Sequence, residues 1–453
     1  MYAVRVKYAM VIALGASDEA IEELGGRTPL ESASMPGLLS LAASGRVGWA
    51  GVGVEEAEPT VVRALLSALG QDPDAPGHVG AACMAEALGV GIRGREWAMD
   101  MDWVATTSPD GTPSAAEGSQ VSGESGGGTL GMTPMETRAL EEAVVAAWRA
   151  GEPSFMAQAE LVRGPERTIL IDRSGRTYAG VETVPALGAG GEAWDRVLPG
   201  RGRMGVAALM RRLMSLGRAA IEKHAVTMSR REQGLAVATM PWLSSPACVP
   251  TMRKLGDRFG LRGAMVSVDP MAVGLAAFLG WELVGPKSIA EGEDEAERLG
   301  AAALDALGEF DVVCCVPGSA AAAARRGDVQ GKVRALEAID RHVVGTMARR
   351  LVDFGDPTVD AGARGWRMMF SPGCGWPTGD VGPTGEAAPV VLAGSWIRSI
   401  VRRACTEAAA MESDLKVERG HDLFEYFLLG GLAKATVVGR KPAARRGQTG
   451  ELW

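Results

Sequence analysis

The chain has few histidines, few aromatic residues and no long run of one charge. Its 453 residues carry a formal net charge of −8 without a long basic stripe, so nucleic acid is not expected as a main partner. Only 4 histidines are present. None of them stands with Asp or Glu at the spacing of a metal-binding helix face, which favours structural roles for His78, His224, His342 and His421.

Paired cysteines and membrane-length apolar runs are also absent from the sequence. None of the 6 cysteines forms a C-x-x-C pair, which excludes the usual zinc and redox motifs. Cys314 and Cys315 lie in an apolar run and are predicted to be buried, reduced thiols, as in a cytoplasmic protein. The longest apolar run, 270–281, is too short to span a bilayer. Residues 8–14 faintly resemble a signal sequence, but we interpret them as a first buried strand.

Apolar runs alternate along the chain with segments that have helical spacing. Strands are predicted at 8–14, 264–268, 282–284, 310–316, 366–370 and 390–393. Helices are predicted at 35–43, 61–69, 271–279, 294–307 and 329–347. This alternation predicts an α/β protein with a doubly wound, parallel sheet.

The middle of the chain has a different character. Residues 110–133 are rich in Gly, Ser and Thr and are predicted to form a flexible surface loop. A helix at 136–150 and a strand at 167–172 follow. We therefore predict a core built from 1–94 and 236–440, a smaller inserted α/β cap domain at 95–235, and a tail at 441–453.

Six short motifs follow one another in the order found in one enzyme family. They are IEELGGRTPLES (21–32), LSALGQDP (66–73), EALGVG (86–91), RGAMVS (262–267), EAIDRHVVG (337–345) and RGHD (419–422). Together they resemble the archaeal-type, 2,3-bisphosphoglycerate-independent phosphoglycerate mutases of the alkaline phosphatase superfamily. The resemblance implies an alkaline-phosphatase-like core with an inserted cap domain.

The resemblance also implies the chemistry of the active relatives, which interconvert 2- and 3-phosphoglycerate in glycolysis. These enzymes hold two divalent metals with Asp and His ligands beside a Ser nucleophile. Two cations lower the pKa of the hydroxyl, clamp the phosphoryl oxygens and stabilise the attacking and leaving oxygens. The Ser carries the phosphate between the two glycerate hydroxyls.

The positions that resemblance assigns to this machinery are occupied here by other residues. The nucleophile falls on Val61, and the metal ligands fall on Leu14, Ala321, Arg325, Gly373, Cys374 and Pro383. The hydrocarbon side chains offer no ligand atom, and Arg325 is expected to bring a positive charge into the site. We therefore predict no catalytic residue, no bound metal and no other cofactor.

The substrate side of the resemblance is altered as well. A phosphate-contacting Arg of the family falls on Asp100 and a neighbouring Asn on Asp102, and acidic residues there would repel a phosphate. Arg167 keeps a family-like position and is the one candidate for ligand binding. An Arg on a strand, however, is more often structural or exposed to solvent.

Three groups of residues could replace the missing chemistry. Thr60 is adjacent to Val61 and carries a hydroxyl, although it needs a base or metal to activate it. Cys374 could become a thiolate if Arg325 lies close to it. A single new metal site could form from a cluster of acids, although a solvated loop is the favoured interpretation of Asp18, Glu55, Glu56 and Glu58.

The leading hypothesis is a catalytically inactive homologue that acts as a binding, regulatory or structural protein. The alternatives are an active metal-dependent mutase or phosphatase with relocated ligands, and a metal-free enzyme that uses Cys374 or Thr60. A small phosphorylated or carboxylate ligand is expected in the interdomain cleft. A protein partner or a second copy of the chain is also expected, whereas a membrane is not.

Overall fold

A computed structural model describes most of the chain as two compact units. The described residues are 6–51, 60–74, 78–107, 120–121, 130–164, 167–186, 188–200, 204–360, 362–380, 382–397, 399 and 401–430. The larger unit comprises Met1–Pro73, Leu261–Val268 and Leu283–Trp453. The smaller unit comprises Asp74–Gly260 and Asp269–Glu282.

Strands and helices alternate through both units. The first part of the chain forms β1 (Lys7–Ile12), α1 (Pro29–Ser32), α2 (Pro36–Ser44), β2 (Arg46–Ala50), α3 (Val61–Ala68), α4 (Gly80–Ala87), β3 (Trp97–Val104), β4 (Thr106–Thr107), β5 (Gln120–Val121), α5 (Pro134–Gly151), α6 (Pro153–Met156), β6 (Ala159–Arg163), β7 (Thr168–Asp172), α7 (Met204–Ile221), α8 (Ala225–Glu232), β8 (Met240–Cys248) and α9 (Leu255–Phe259). The second part forms β9 (Gly263–Val266), α10 (Pro270–Leu279), β10 (Glu282–Leu283), α11 (Glu295–Glu309), β11 (Val312–Cys315), α12 (Ser319–Arg325), α13 (Val329–Ile339), α14 (Gly345–Val352), β12 (Trp366–Ser371), β13 (Ala388–Gly394), α15 (Glu407–Met411), β14 (Lys416–Val417) and α16 (His421–Leu429).

The larger unit is built on an eight-stranded sheet in the order β10-β9-β11-β1-β12-β13-β2-β14. The central strands β9, β11, β1 and β12 are parallel, which confirms the predicted parallel core. β13 runs antiparallel to both of its neighbours, β12 and β2, which the strand-and-helix alternation did not predict. Because β2 is antiparallel to β13, it points in the same direction as β12.

Helices cover the sheet of the larger unit on both faces. All six residues of β1 are buried; its apolar run from Tyr8 predicts this for five of them, and the sixth, Lys7, donates a hydrogen bond to Phe310 O. Ala9 and Val11 belong to a core that includes residues of α2, α11, α13 and α14. On the opposite face, the Tyr8 ring lies 5.5 Å from the ring of Phe427 in α16. The sheet is therefore doubly wound, in agreement with the sequence.

The amphipathic segment 329–347 forms two helices joined by a π-helical turn. The turn spans Asp340–Val344 and connects α13 to α14. The Asp340 carboxylate accepts hydrogen bonds from the backbone N–H groups of Gly37 (2.8 Å) and Leu38 (2.6 Å). Because these groups lie in the first turn of α2, Asp340 caps that helix from another segment of the chain.

The smaller unit contains an antiparallel, four-stranded sheet in the order β6-β7-β3-β8. One face packs on a core that includes Trp148 of α5 and Met210 of α7. The other face packs on α4, whose Ala81 and Ala85 share a second core with Ile169 and Ile171 of β7. α10 packs against α4.

Several sequence predictions concern residues that the structure describes only in part. In the predicted flexible loop 110–133, the described residues include β5, while 110–119 and 122–129 lie outside the description. The predicted tail 441–453 also lies outside it. No helix in the described part of the chain is long and apolar enough to cross a membrane. All 6 cysteines are free thiols.

Candidate functional site

The sheet of the larger unit brings the predicted site positions to one edge. Leu14 follows β1, and Gly373 and Cys374 follow β12. α12, which follows β11, carries Ala321 and Arg325. The carboxyl ends of parallel strands meet at one sheet edge, which is where α/β folds place their ligands.

The remaining two positions reach the same edge because of strand direction. Val61 is the first residue of α3, which follows β2, and β2 points in the same direction as β12. Pro383 precedes β13, whose antiparallel direction puts its start at this edge. The fold therefore gathers all seven positions that the family resemblance assigned to metal ligands and nucleophile.

Hydrocarbon groups pack closely at this edge. Leu14 is 1% exposed, Ala321 3% and Cys374 1%. A Cβ atom added at Gly373 would lie 3.4 Å from Ile12 Cγ2, 3.7 Å from Leu14 Cδ2 and 3.8 Å from the Cβ of Ala64. These are ordinary van der Waals separations, so this part of the edge is filled with carbon atoms.

Gly15 allows the chain after β1 to approach α12 closely. Its φ of +78° lies in the left-handed region. A Cβ atom at this position would lie only 2.5 Å from Ala321 Cα and 2.6 Å from Ala321 N. A side chain at Gly15 would therefore collide with the backbone of the helix that carries two of the predicted ligand positions.

Hydrogen bonds join the loops that form this edge. Trp376 N donates to Ser17 O (2.9 Å), and Thr384 N donates to Gly375 O (2.8 Å). Gly379 N donates to Ala324 O (2.8 Å). The loops after β1 and β12, the segment before β13 and α12 are therefore held together by their backbones.

A buried ion pair lies beside the hydrocarbon packing. Lys332 Nζ donates to Asp18 Oδ2 (2.6 Å) and to the backbone oxygen of Trp376 (2.8 Å). The two charged side chains are 0% and 2% exposed. Asp18 also accepts from Thr378 Oγ1 (2.6 Å) and Glu19 N (2.7 Å). Burial lowers the pKa of Lys332, while the hydrogen bond and charge of Asp18 oppose that shift.

Sequence reasoning did not identify Lys332, although a signal was present. Lys332 lies four residues before Leu336 and seven before Ile339, so helical spacing places it on the buried face of α13. A lysine on such a face predicts a buried counter-charge. Asp18, proposed from sequence as part of a new metal site, is that counter-charge. The other acids of that cluster, Glu55, Glu56 and Glu58, lie outside the described residues.

Arg325, which was expected to bring a positive charge into the site, contacts Trp376. Arg325 is the last residue of α12 and is exposed. Its guanidinium carbon lies 5.6 Å from the centre of the Trp376 ring, in a cation–π contact. The contact places the Arg325 charge over the ring of the residue whose backbone oxygen accepts from Lys332. The buried cation is Lys332.

Cys374 and Thr60 are the two proposed replacement nucleophiles, and the surroundings of each affect its reactivity. Burial raises the pKa of the Cys374 thiol to about 12, and the nearby charge of Lys332 opposes this shift only in part. The thiol is therefore protonated near neutral pH, contrary to the thiolate hypothesis. The Thr60 hydroxyl accepts a hydrogen bond from Arg63 N (3.3 Å) and caps α3.

The four histidines lie in four different segments of the chain. His224 caps α8 by accepting a hydrogen bond from Val226 N (3.3 Å), as a structural role predicts. His421 begins α16, and its Nε2 lies 4.0 Å from the Asp422 carboxylate. His342 lies in the π-helical turn. His78 is exposed and belongs to the smaller unit.

The altered substrate positions form an acidic pair in the smaller unit. Asp100 is buried, and Arg167 Nη1 lies 3.8 Å from its Oδ2. Burial raises the pKa of Asp100, while Arg167 and His78 lower it. Burial and the charge of Asp100 raise the pKa of Asp102 to about 7. The structure thus places Arg167, the predicted ligand-binding residue, beside one of these acids.

The residues at the edge of the large sheet do not fit the two divalent metals that the family resemblance implies. Leu14, Val61, Ala321 and Gly373 present carbon and hydrogen, whereas such ions require oxygen, nitrogen or sulfur ligands. Within the part of the chain that the structure describes, no group of three or more His, Cys, Asp and Glu side chains is placed to hold a metal ion.

Known proteins share this sequence and fold. A 2,3-bisphosphoglycerate-independent phosphoglycerate mutase of Methanothrix thermoacetophila is 27% identical over 441 residues, covering 94% of this chain and 100% of the relative. A probable enzyme of the same name from Geobacter sulfurreducens is 27% identical, covering 93% of this chain and 100% of the relative. No protein-family model matches the chain.

Two solved structures share the architecture. One is a protein of Pyrococcus horikoshii, with a TM-score of 0.66, 19% identity, and coverage of 94% of this chain and 97% of that one. The other is a cofactor-independent phosphoglycerate mutase of Thermoplasma acidophilum, with a TM-score of 0.54, 17% identity, and coverage of 94% and 99%.

The chain therefore has the mixed α/β fold of cofactor-independent phosphoglycerate mutases, with a mainly parallel large sheet. By sequence it is a homologue of the archaeal-type 2,3-bisphosphoglycerate-independent phosphoglycerate mutases, which confirms the resemblance carried by the six motifs.

Replacing Lys332 with Met is expected to lower the free energy of unfolding by about 3–5 kcal/mol, because the Asp18 carboxylate stays buried without its cation. The double variant Asp18→Asn, Lys332→Met should recover part of this loss. Urea unfolding followed by circular dichroism measures both effects. Lys287→Met, at an exposed position, is the control. A loss for Lys332→Met no larger than that of the control would contradict the buried-pair assignment.

The Cys374 thiol is expected to resist alkylation in the folded protein at pH 8, because it is buried and its pKa is raised to about 12. Cys248 is only partly buried and should react with iodoacetamide first, which makes it the internal control. Peptide mass spectrometry after timed labelling measures both rates. Faster labelling of Cys374 than of Cys248 would restore the thiolate hypothesis.

The acidic pair is expected to make stability fall as pH rises. The pKa of Asp102 is about 7 in the folded protein, above the ordinary value of 3.8 for this carboxyl group, so between these values the folded state binds more protons than the unfolded state. Asp102→Asn should therefore gain stability relative to the parent as pH rises from 5 to 8. Urea unfolding at each pH tests this. Asp305→Asn, at an exposed position, should show no such trend, and an equal trend in both variants would refute the assignment.

Proposed function

We propose that this protein is a homologue of phosphoglycerate mutase that does not interconvert phosphoglycerates and acts instead as a binding, regulatory or structural protein. The observation that carries the proposal is the carbon-lined packing of Leu14, Ala64, Gly373 and Cys374. The family resemblance assigns two metals and a nucleophile to that edge of the sheet.

Phosphoryl transfer at this edge requires groups that the residues present do not supply. A nucleophile must carry the phosphate, and positive charge must stabilise the oxygens of the transition state. Val61 begins α3 at the position assigned to the nucleophile and has no nucleophilic atom. The buried ammonium of Lys332 already donates to Asp18 and to Trp376 O, so its charge is balanced by protein groups.

The two alternatives receive less support from the same residues. An active mutase with relocated ligands would need a new cluster of metal-binding side chains, and Asp18, one candidate ligand, is engaged with Lys332. A metal-free enzyme would need an activated Cys374 or Thr60. The first is buried with a raised pKa, and the second caps a helix.

The proposed ligand is a small phosphorylated or carboxylate compound, since the fold is that of proteins named for phosphoglycerate. A protein partner or a second copy of the chain fits a regulatory or structural role equally well. The free cysteines are compatible with a reducing cytoplasm, which we propose as the location.

The proposal predicts no turnover by the purified full-length chain. Conversion of 3-phosphoglycerate to 2-phosphoglycerate should stay at the protein-free background with and without added Mn²⁺. The Methanothrix thermoacetophila homologue, assayed in parallel, is the positive control. An enolase-coupled absorbance assay measures the rate.

A second measurement separates a binding protein from a scaffold. A saturable rise in melting temperature with 3-phosphoglycerate, without turnover, would support ligand binding. A stable complex in size-exclusion chromatography with light scattering would support an assembly role. Turnover that increases with Mn²⁺ and is lost with a chelator would overturn the proposal in favour of relocated ligands.

A further inference from the structure

One face of the four-stranded sheet in the smaller unit carries three oxygen-bearing side chains close together. Asp100 and Asp102 are two residues apart on β3, so their side chains point to the same face. Ser244 of β8 is the direct cross-strand partner of Asp100. Direct partners also share a face, so the Ser244 hydroxyl lies on the side of the two carboxylates.

Two of these groups have buried atoms without partners. Asp100 Oδ1 and Ser244 Oγ have no hydrogen-bond partner among the described residues, and Ser244 is 0% exposed. Buried polar atoms in folded proteins are nearly always satisfied, and each unsatisfied atom costs about 1–3 kcal/mol. Two such atoms on paired residues indicate a missing ion, water or ligand at this point.

The charges at this face also indicate a missing cation. Two carboxylates on neighbouring same-face positions repel each other where water is scarce. Arg167 Nη1 lies 3.8 Å from Asp100 Oδ2, beyond hydrogen-bond distance, and its side chain is 55% exposed. Arg167 faces Asp100 Oδ2, whereas the oxygen without a partner is Oδ1. A cation could therefore contact Oδ1 on the other side of the carboxylate from Arg167.

We propose that Asp100, Asp102 and Ser244 bind one hard divalent cation such as Mg²⁺ or Mn²⁺, with water completing its coordination. A donor set made only of oxygen favours these ions over zinc or copper. Magnesium commonly uses one or two carboxylates and keeps several waters, so three protein oxygens suffice. The site belongs to the smaller unit, and none of its three residues is among those that line the carbon-filled edge of the large sheet.

Mn²⁺ titration of the full-length chain tests the site. After removal of metal with a chelator and desalting, free Mn²⁺ is measured by electron paramagnetic resonance. One equivalent is expected to bind with a dissociation constant of about 1 mM or below. Asp100→Asn and Asp102→Asn should each weaken binding about tenfold or more, and Ser244→Ala should weaken it less.

Two further variants test whether the effect on Mn²⁺ binding is specific to these residues. Arg167→Ala removes a competing positive charge from an exposed position, so it should tighten Mn²⁺ binding while leaving the fold intact. Asp305→Asn removes a carboxylate of α11 and should leave binding unchanged. Circular dichroism of every variant confirms that the chain is folded.

The outcomes separate this inference from the proposed function. Absence of Mn²⁺ binding by the parent chain at several times 1 mM would overturn it. Binding that is undiminished in Asp100→Asn and Asp102→Asn would also overturn it, as would a stability change in Ser244→Ala without any binding by the parent. Phosphoglycerate turnover would refute the proposed function, whereas the metal assignment depends only on the response of these variants.

Discussion

The buried ion pair between Asp18 and Lys332 is the interaction on which the edge of the large sheet depends. It connects the segment after β1 to α13, and the Lys332 ammonium also reaches the loop after β12 through Trp376 O. Two charges in a dry interior are tolerated only when each is paired and hydrogen-bonded. The pair therefore fixes three segments that come from distant parts of the sequence, and it allows the space beside it to be filled with carbon.

That carbon packing explains how the edge can be stable with hydrocarbon residues at positions that the resemblance assigns to metal ligands. Small residues at Gly15, Ala321 and Gly373 allow the backbones after β1, β11 and β12 to approach one another closely. Leu14 occupies the volume between strand and helix where the resemblance places a metal ligand. Apolar contact and backbone hydrogen bonds add to the stability that the ion pair gives this edge, and none of the three needs a bound metal ion.

Sequence reasoning identified the elements with strong local signals and failed where long-range pairing decides the result. β1, β11 and β12 are mostly apolar, and their ends were predicted within one or two residues. β2, with the sequence RVGWA, and β8, with two prolines, were missed because their composition is atypical of strands. The antiparallel direction of β13 could not be predicted, because the spacing of apolar residues does not depend on the direction of a strand.

At the candidate site, too, the contacts between distant parts of the sequence could not be predicted. Motif spacing assigned seven positions by their place in the sequence, and strand direction puts the segments that carry them at one edge of the large sheet. Motif spacing could not predict the contact of Arg325 with Trp376, because the direction of a side chain at the end of a helix depends on the neighbouring loop. It also missed the partner of Asp18, since Lys332 lies 314 residues away in sequence.

The left-handed backbone at Gly15 limits which single substitutions this edge can accept. A carboxylate introduced at Leu14 alone would enter a carbon-lined space without a cation to balance it, and it would destabilise the fold before any metal could bind. A second ligand on α12 would meet the same obstacle, because the helix backbone lies against Gly15. Each such substitution made alone is therefore expected to cost folding stability, so a two-metal centre could be built at this edge only by changing several residues together.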